Sequence, residues 1–225
     1  MLQRTLILLF LLWICVPRLT AAGIQSSLAV AQRYAATKQY DKALAEYRRV
    51  ADSYDIGMNS ADKKRCLDAV YASCGILLEL GRYTEAMEDL LLAEQIAEHD
   101  NLSQSKLHLY YGVFYFILAS QTGSDIYIRQ LIDHDRTAFW SARDEGDINT
   151  LYRAFGDMLI AYSYTSHLDS LKREVTELKR LSAKNSDRLL RISLFQYSAA
   201  RAKIKCLAKG GTATIAAPPL SMTPY

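Results

Sequence analysis

The chain has 225 residues, half of them hydrophobic and 23% charged, with a formal net charge of +3. That is enough for one ordinary domain, or a short array of repeats, with a real core. Apolar residues are too many and net charge too small for a disordered chain, and 10 Gly with 4 Pro are too few for a turn-rich β sandwich or barrel.

The first residues change the meaning of that charge. A cationic start ending at Arg4 is followed by 11 apolar residues, Leu6 to Val16, and then by Pro17-Arg-Leu-Thr-Ala-Ala-Gly23. This pattern predicts a secretory signal peptide over 1–22, cut after Ala22, with Thr20 and Ala22 as the small residues of the cleavage site. The apolar run is too short for a bilayer of about 30 Å, which needs ~20 residues. The other readings are a buried N-terminal helix or an uncleaved anchor. Lipidation at Cys15 is disfavoured by bulky Trp13 and Ile14 before it. Cleavage removes Arg4 and Arg18, leaving 25 basic against 24 acidic residues. A net charge of +1 gives no general reason to bind nucleic acid or anionic lipid. Three cysteines remain, Cys66, Cys74 and Cys206. The first two are eight residues apart in one expected helix, about 12 Å by helical rise and too far for a disulfide. Buried thiols are expected.

From Ser26 to Ala51 the apolar positions Leu28, Ala31, Tyr34, Ala35, Tyr40, Ala43, Leu44, Tyr47 and Val50 recur at helical spacing, broken by a polar turn at Thr37–Gln39. The outline returns with Val70, Cys74 and Leu77, a turn at Gly81-Arg-Tyr83, and then Tyr83, Ala86, Leu90 and Ala93. Tyr40 to Tyr83 is an offset of 43 residues, within the range that marks stacked repeats.

Ala31, Tyr40, Ala43, Tyr47 and Val50, and again Cys74, Tyr83, Ala86, Leu90 and Ala93, with Leu80-Gly81 at the turn, resemble the tetratricopeptide repeat. Small residues let paired helices approach, and bulky ones fill the adjoining gaps. Neither unit carries the proline that often closes the repeat, and the linker around Tyr54–Asp62 exceeds what a ~34-residue period implies. Later units follow by pattern. Lys106–Ser120 around Gly112 pairs with Asp125–Arg143, and Ile148–Tyr164 around Gly156 pairs with Leu168–Ala183. A fifth first helix, Asp187–Ala208, has no partner. Ala31, Cys74, Gly112 and Gly156 fall 43, 38 and 44 residues apart. The expected fold is thus all-α, a tetratricopeptide-like α-solenoid of about four helix pairs plus one unpaired helix over 23–208.

Leu107–Ser124 has no Asp, Glu, Lys or Arg for 18 residues. Its His, Tyr, Ser and Gln content favours a packed repeat helix over a membrane span. Residues 209–225 carry no charge after Lys209 and hold three of the four prolines. This irregular tail implies either a truncated or frame-altered longer repeat protein or a natural disordered end.

Chemistry is sparse. His99, His108, His134 and His167 have no ligand spacing. Asp133-His134-Asp135 reads as a solvated polar patch, since adjacent helical residues diverge. No phosphate loop, metalloprotease helix or nucleophile elbow is present. The charged run Lys172–Arg180 reads as an outer helix face, and its Leu168, Leu171, Val175, Leu178 and Leu181 as a packing seam. No catalytic, cofactor or metal residues are expected.

The resemblance implies a concave surface lined by first helices, which takes a protein or peptide. The family's groove-facing offsets fall on Gln32, on Tyr71, Gly75 and Glu79, on Lys106, Leu109 and Val113, and on Arg153 and Asp157. The carboxylate clamp of chaperone-binding members is not present as a set. The chain is similar to the N-terminal sensor region of exported repeat proteins that continue into a membrane helix and a signalling module. This implies a non-catalytic scaffold, most readily in a Gram-negative periplasm, or alternatively an envelope-assembly adaptor. It has no membrane span of its own after signal cleavage.

Overall fold

A computed structural model describes residues 20–100 and 102–164, together with positions 173, 175, 176, 179 and 180. The described residues are all-helical. Seven helices follow in order: α1 Ala21–Ala36, α2 Tyr40–Ala51, α3 Ser60–Glu79, α4 Tyr83–His99, α5 Ser105–Thr122, α6 Asp125–Glu145 and α7 Ile148–Tyr164. The expected helices Leu168–Ala183 and Asp187–Ala208 and the tail 209–225 fall wholly or mostly outside the described residues. So does 1–19 of the expected signal peptide.

Packing divides the chain after Ser73, within α3. In the first unit, α1 and α2 form a hairpin. Ile24, Ser27 and Ala31 of α1 are buried, as are Ala43, Leu44, Tyr47, Val50 and Ala51 of α2. Both sets recur every three or four residues, which puts each on one helix face. Ser53 closes the hairpin's far end: its hydroxyl donates to the Val50 carbonyl at 2.6 Å and lies 3.8 Å from the Cys66 sulfur of α3. The N-cap of α1 is Thr20, whose Oγ1 accepts from the Gly23 amide at 3.3 Å. The expected cut after Ala22 therefore falls inside the first turn of α1, and the first buried residue, Ile24, lies just beyond it.

In the second unit, the end of α3 meets α4 where the Cys74 thiol donates to the Ala86 carbonyl at 3.7 Å. Gln121 near the end of α5 donates to the Tyr83 hydroxyl at the start of α4 at 2.6 Å. Ser103 and Ser105, before and at the start of α5, donate to Glu145 at the end of α6. Each tie joins one helix start to another helix end, so α4, α5 and α6 alternate in direction. The α5–α6 contact is the most extensive, α7 packs on α6, and α5 also touches α7. The core here runs through Leu131, Phe139, Leu151, Phe155 and Tyr162, all almost fully buried. Asp147 starts α7 by accepting from the Asn149 and Thr150 amides at 3.1 and 3.2 Å.

The turns repeat more closely than the helices do. After α1, the Lys38 amide donates to Ala35 and the Gln39 amide to Tyr34, both at 2.9 Å. After α3, Gly81 donates to Leu78 at 3.2 Å and Arg82 to Leu77 at 2.9 Å. Every donor and acceptor is displaced by 43 residues, and both central residues are left-handed, Lys38 at φ 58° and Gly81 at φ 73°. This is the Schellman closure of a helix end. The α5–α6 turn has Gly123 at φ 66°, 42 residues after Gly81. Lys38 is the one described non-glycine residue at positive φ, so it carries a steric cost that Gly81 does not.

Two predictions follow from the glycines and their lysine counterpart. Lys38→Gly should stabilise the chain by about 0.5–1 kcal/mol, and Gly81→Ala should destabilise it by a similar amount, read as shifts in urea midpoint. Gly112 and Gly156 separate in the same way. A Cβ at Gly112 would clash with the Asp135 carboxyl, whereas one at Gly156 meets nothing within 4 Å among the described residues. Gly112→Ala should therefore cost about 1–3 kcal/mol by overpacking, and Gly156→Ala should gain up to about 1 kcal/mol from helix propensity.

Candidate functional site

The α5–α6 seam gathers most of the chemistry that the described residues hold. Tyr111 and Tyr115 of α5 are one turn apart and stack on His134 of α6, with centroid separations of 4.8 and 5.4 Å and interplanar angles of 26° and 22°. Tyr115 in turn stacks on Tyr127 at 6.2 Å. His108 ends this ladder of flat rings, its Nδ1 3.0 Å from the Nδ1 of His134. At that distance one ring's N–H donates to the other's lone pair, which a pair of neutral imidazoles satisfies. Tyr111 extends the network by donating to Glu94 of α4 at 3.1 Å.

Electrostatics keep the pair neutral. Burial pushes His134 down to about 4, with help from His108 and opposition from Asp133. Burial also lowers His108, against the pull of Glu94. Burial raises the thiols of Cys66 and Cys74 above their ordinary range, the opposite of an activated nucleophile. Both described cysteines are free and buried. Among the described residues no group of three or more His, Cys, Asp or Glu side chains could hold a metal ion.

The run Asp133-His134-Asp135 divides three ways. Asp133 is exposed and pairs with Arg136 at 2.9 Å; His134 enters the ring ladder. Asp135 is completely buried, which corrects the expectation of a solvated patch. Its helix turns it onto the stripe of Leu131, Ile132, Ala138, Phe139 and Ala142. The glycine at 112 is what admits it. Sequence reading missed the histidine pair because His108 and His134 are 26 residues apart. The signal was the hairpin itself, in which residues equidistant from the turn face each other.

The groove positions scatter in burial. Gln32 and Glu79 are exposed, and Lys106, Arg153 and Asp157 are half-buried. Tyr71, Gly75, Leu109 and Val113 are interior, so they offer packing rather than a surface to a ligand. This departs from the groove expectation for those four, because the faces that carry them are covered. On α7, Arg153 and Asp157 lie one turn apart with Nε and Oδ2 3.8 Å apart. Leu107–Ser124 is the packed helix α5, and no described helix is long and apolar enough to cross a membrane.

No family model matches the chain, and no curated protein matches it.

The histidine pair makes a signed prediction. A base held below its ordinary value in the fold binds fewer protons than in the unfolded chain, so stability is full above about pH 6.5 and falls as pH drops toward 4. His134→Phe keeps a flat ring in the ladder and removes that titration. Compared with the wild type, its urea midpoint should fall less between pH 7 and pH 4.5. The difference should stay well under the ~1.4 kcal/mol per pH unit of a fully buried group, because the rings are only half-buried.

Proposed function

We propose that the chain is an exported, non-catalytic tetratricopeptide-like scaffold that binds protein or peptide. The observation that carries this reading is the recurrence of one helix-pair turn at 43 residues with the same four hydrogen-bond positions. Around each turn eight of the ten expected packing positions are buried, Ala31, Ala43, Tyr47 and Val50, then Cys74, Ala86, Leu90 and Ala93, while Tyr40 and Tyr83 are half-buried. Repeated helix pairs of this kind act by presenting a shaped surface, which suits extended peptides or partner helices. Export into a periplasm is supported by the Arg4, Leu6–Val16 and Ala22 pattern. The role as a sensor region of a signalling regulator is supported by resemblance alone.

Site-specific photocrosslinking tests the scaffold. A photoreactive phenylalanine derivative replaces Gln32 or Glu79, both exposed on first helices, or Arg49 on a second helix as a control. Gln32 and Glu79 should each give a discrete crosslinked protein in envelope extract, competed away by unlabelled chain, and Arg49 should not. Equal labelling from all three positions, or none from any, rejects the proposed surface. Edman or mass analysis of the secreted chain should find Gly23 as its first residue.

A further inference from the structure

Asp135 is a buried acid, 0% exposed, and neither carboxyl oxygen has a hydrogen-bond partner among the described residues. From α5 it faces Gly112, which carries no charge and whose missing Cβ makes room for the carboxyl. The titratable groups of α5 at this seam are engaged elsewhere: His108 with His134, Tyr111 with Glu94, and Tyr115 stacked on His134. From α7 it faces Asp157 and Arg153, the charged groups that act on it, and these are within reach of each other at 3.8 Å. On α6 itself Asp133 is paired with Arg136. A neutral carboxyl can be enclosed here. A carboxylate cannot be without water or a cation, since an unpaired interior charge is far costlier than an unpaired neutral group.

We propose that Asp135 is a proton-operated latch on the α5–α6–α7 packing: as the neutral acid it lets the three helices close over Gly112, and as the carboxylate it opens that seam and competes with Asp157 for Arg153. Opening releases one proton to solvent; closing takes it back. The single cation available on α7 is what makes the step a competition. Burial, then the charge of Asp157, holds Asp135 well above the ordinary carboxyl range against the pull of Arg153, and burial lifts Asp157 to about 6. The sign follows. An acid raised in the fold contributes most below its unfolded value near 3.9, and the contribution is lost as pH rises toward the folded value. The latch closes in acid and loosens in base. It stands independently of any peptide-binding role, because its readout is the helix packing itself.

The test is backbone amide exchange of the full chain between pH 5 and pH 8, comparing wild type with Asp135→Asn, which fixes the neutral shape. The intrinsic rise of exchange with pH cancels in the ratio of the two. For α5, α6 and α7 peptides the wild-type opening constant should rise relative to the variant by roughly tenfold or more across that range, while α1 and α2 peptides keep a constant ratio. Identical profiles in wild type and variant overturn the proposal. Should Asp135→Asn not fold, Asp157→Asn decides the question, since it frees Arg153 for Asp135 and should move the midpoint of wild-type opening to lower pH. An unmoved midpoint overturns the proposal. Side-chain carboxyl NMR of the wild type adds a direct reading: every aspartate titrating below pH 5 overturns it as well.

Discussion

The hairpin turns between successive helices are the constraint on which the remaining contacts depend. Only about three residues join α1 to α2 and α3 to α4, and only two join α5 to α6 and α6 to α7. A connection that short leaves the next helix no course but to run back along the last one. The chain manages it by placing one residue left-handed, at Lys38, Gly81, Gly123 and Gly146. Once direction is set, the facing residues are set too. A small side chain at the crossing then decides how closely the helices approach. Ala31 and Cys74 are fully buried, and Gly112 goes further by accepting the carboxyl of another helix.

Two neighbouring residues of α6 pull the stability of this packing in opposite directions with pH. His134, held low by burial, weakens the fold as protons become abundant; Asp135, held high by burial, weakens it as they become scarce. The same physical cause gives opposite signs because desolvation favours whichever form is uncharged. One residue is a base and the other an acid, so between their transitions both are neutral and the seam carries least strain. A helix that places a histidine against flat rings and an aspartate against a glycine is therefore most secure in a window rather than at either extreme.

Much of this architecture was legible beforehand, and the reasons for the exceptions are specific. The spacing of Tyr40, Ala43 and Tyr47 and of Tyr83, Ala86 and Leu90 marks helix faces, and the polar or glycine breaks at Thr37–Gln39 and Gly81 mark the turns. Helices α5 to α7 run to within a few residues of their expected bounds. Asp135 departs from the solvated patch that its charge implies because the period of its helix outranks that charge. Ile132, Asp135, Ala138, Phe139 and Ala142 follow the helical spacing of a buried stripe without a gap, and only the chemistry of one side chain argued otherwise. The two interior glycines show the converse limit. Gly112 and Gly156 look alike in sequence, yet Gly112 is pressed by a side chain of the facing helix while Gly156 meets no neighbour among the described residues. The left-handed Lys38 carries no local signal at all and is visible only through its 43-residue alignment with Gly81. The histidine pair needed the hairpin's register: Tyr115 and Tyr127 lie six residues either side of Gln121, and His108 and His134 lie thirteen.

The groove positions acquire a different meaning once burial is known. Tyr71, Leu109 and Val113 contribute to the interior, which leaves the polar edges of their helices as the part open to solvent. On α7 that leaves Arg153 and Asp157, half-buried and one turn apart. Their availability is not fixed by α7 alone. Asp135 lies behind them without a partner of its own, and Arg153 is the cation that acts on both acids. Whatever ligand engaged Arg153 would thereby withdraw it from the two carboxyls, and protonating Asp135 would return it to Asp157. By reciprocity, a ligand that draws on Arg153 and a proton that settles on Asp135 favour each other. The coupling requires no path through the fold, because the two events share one guanidinium.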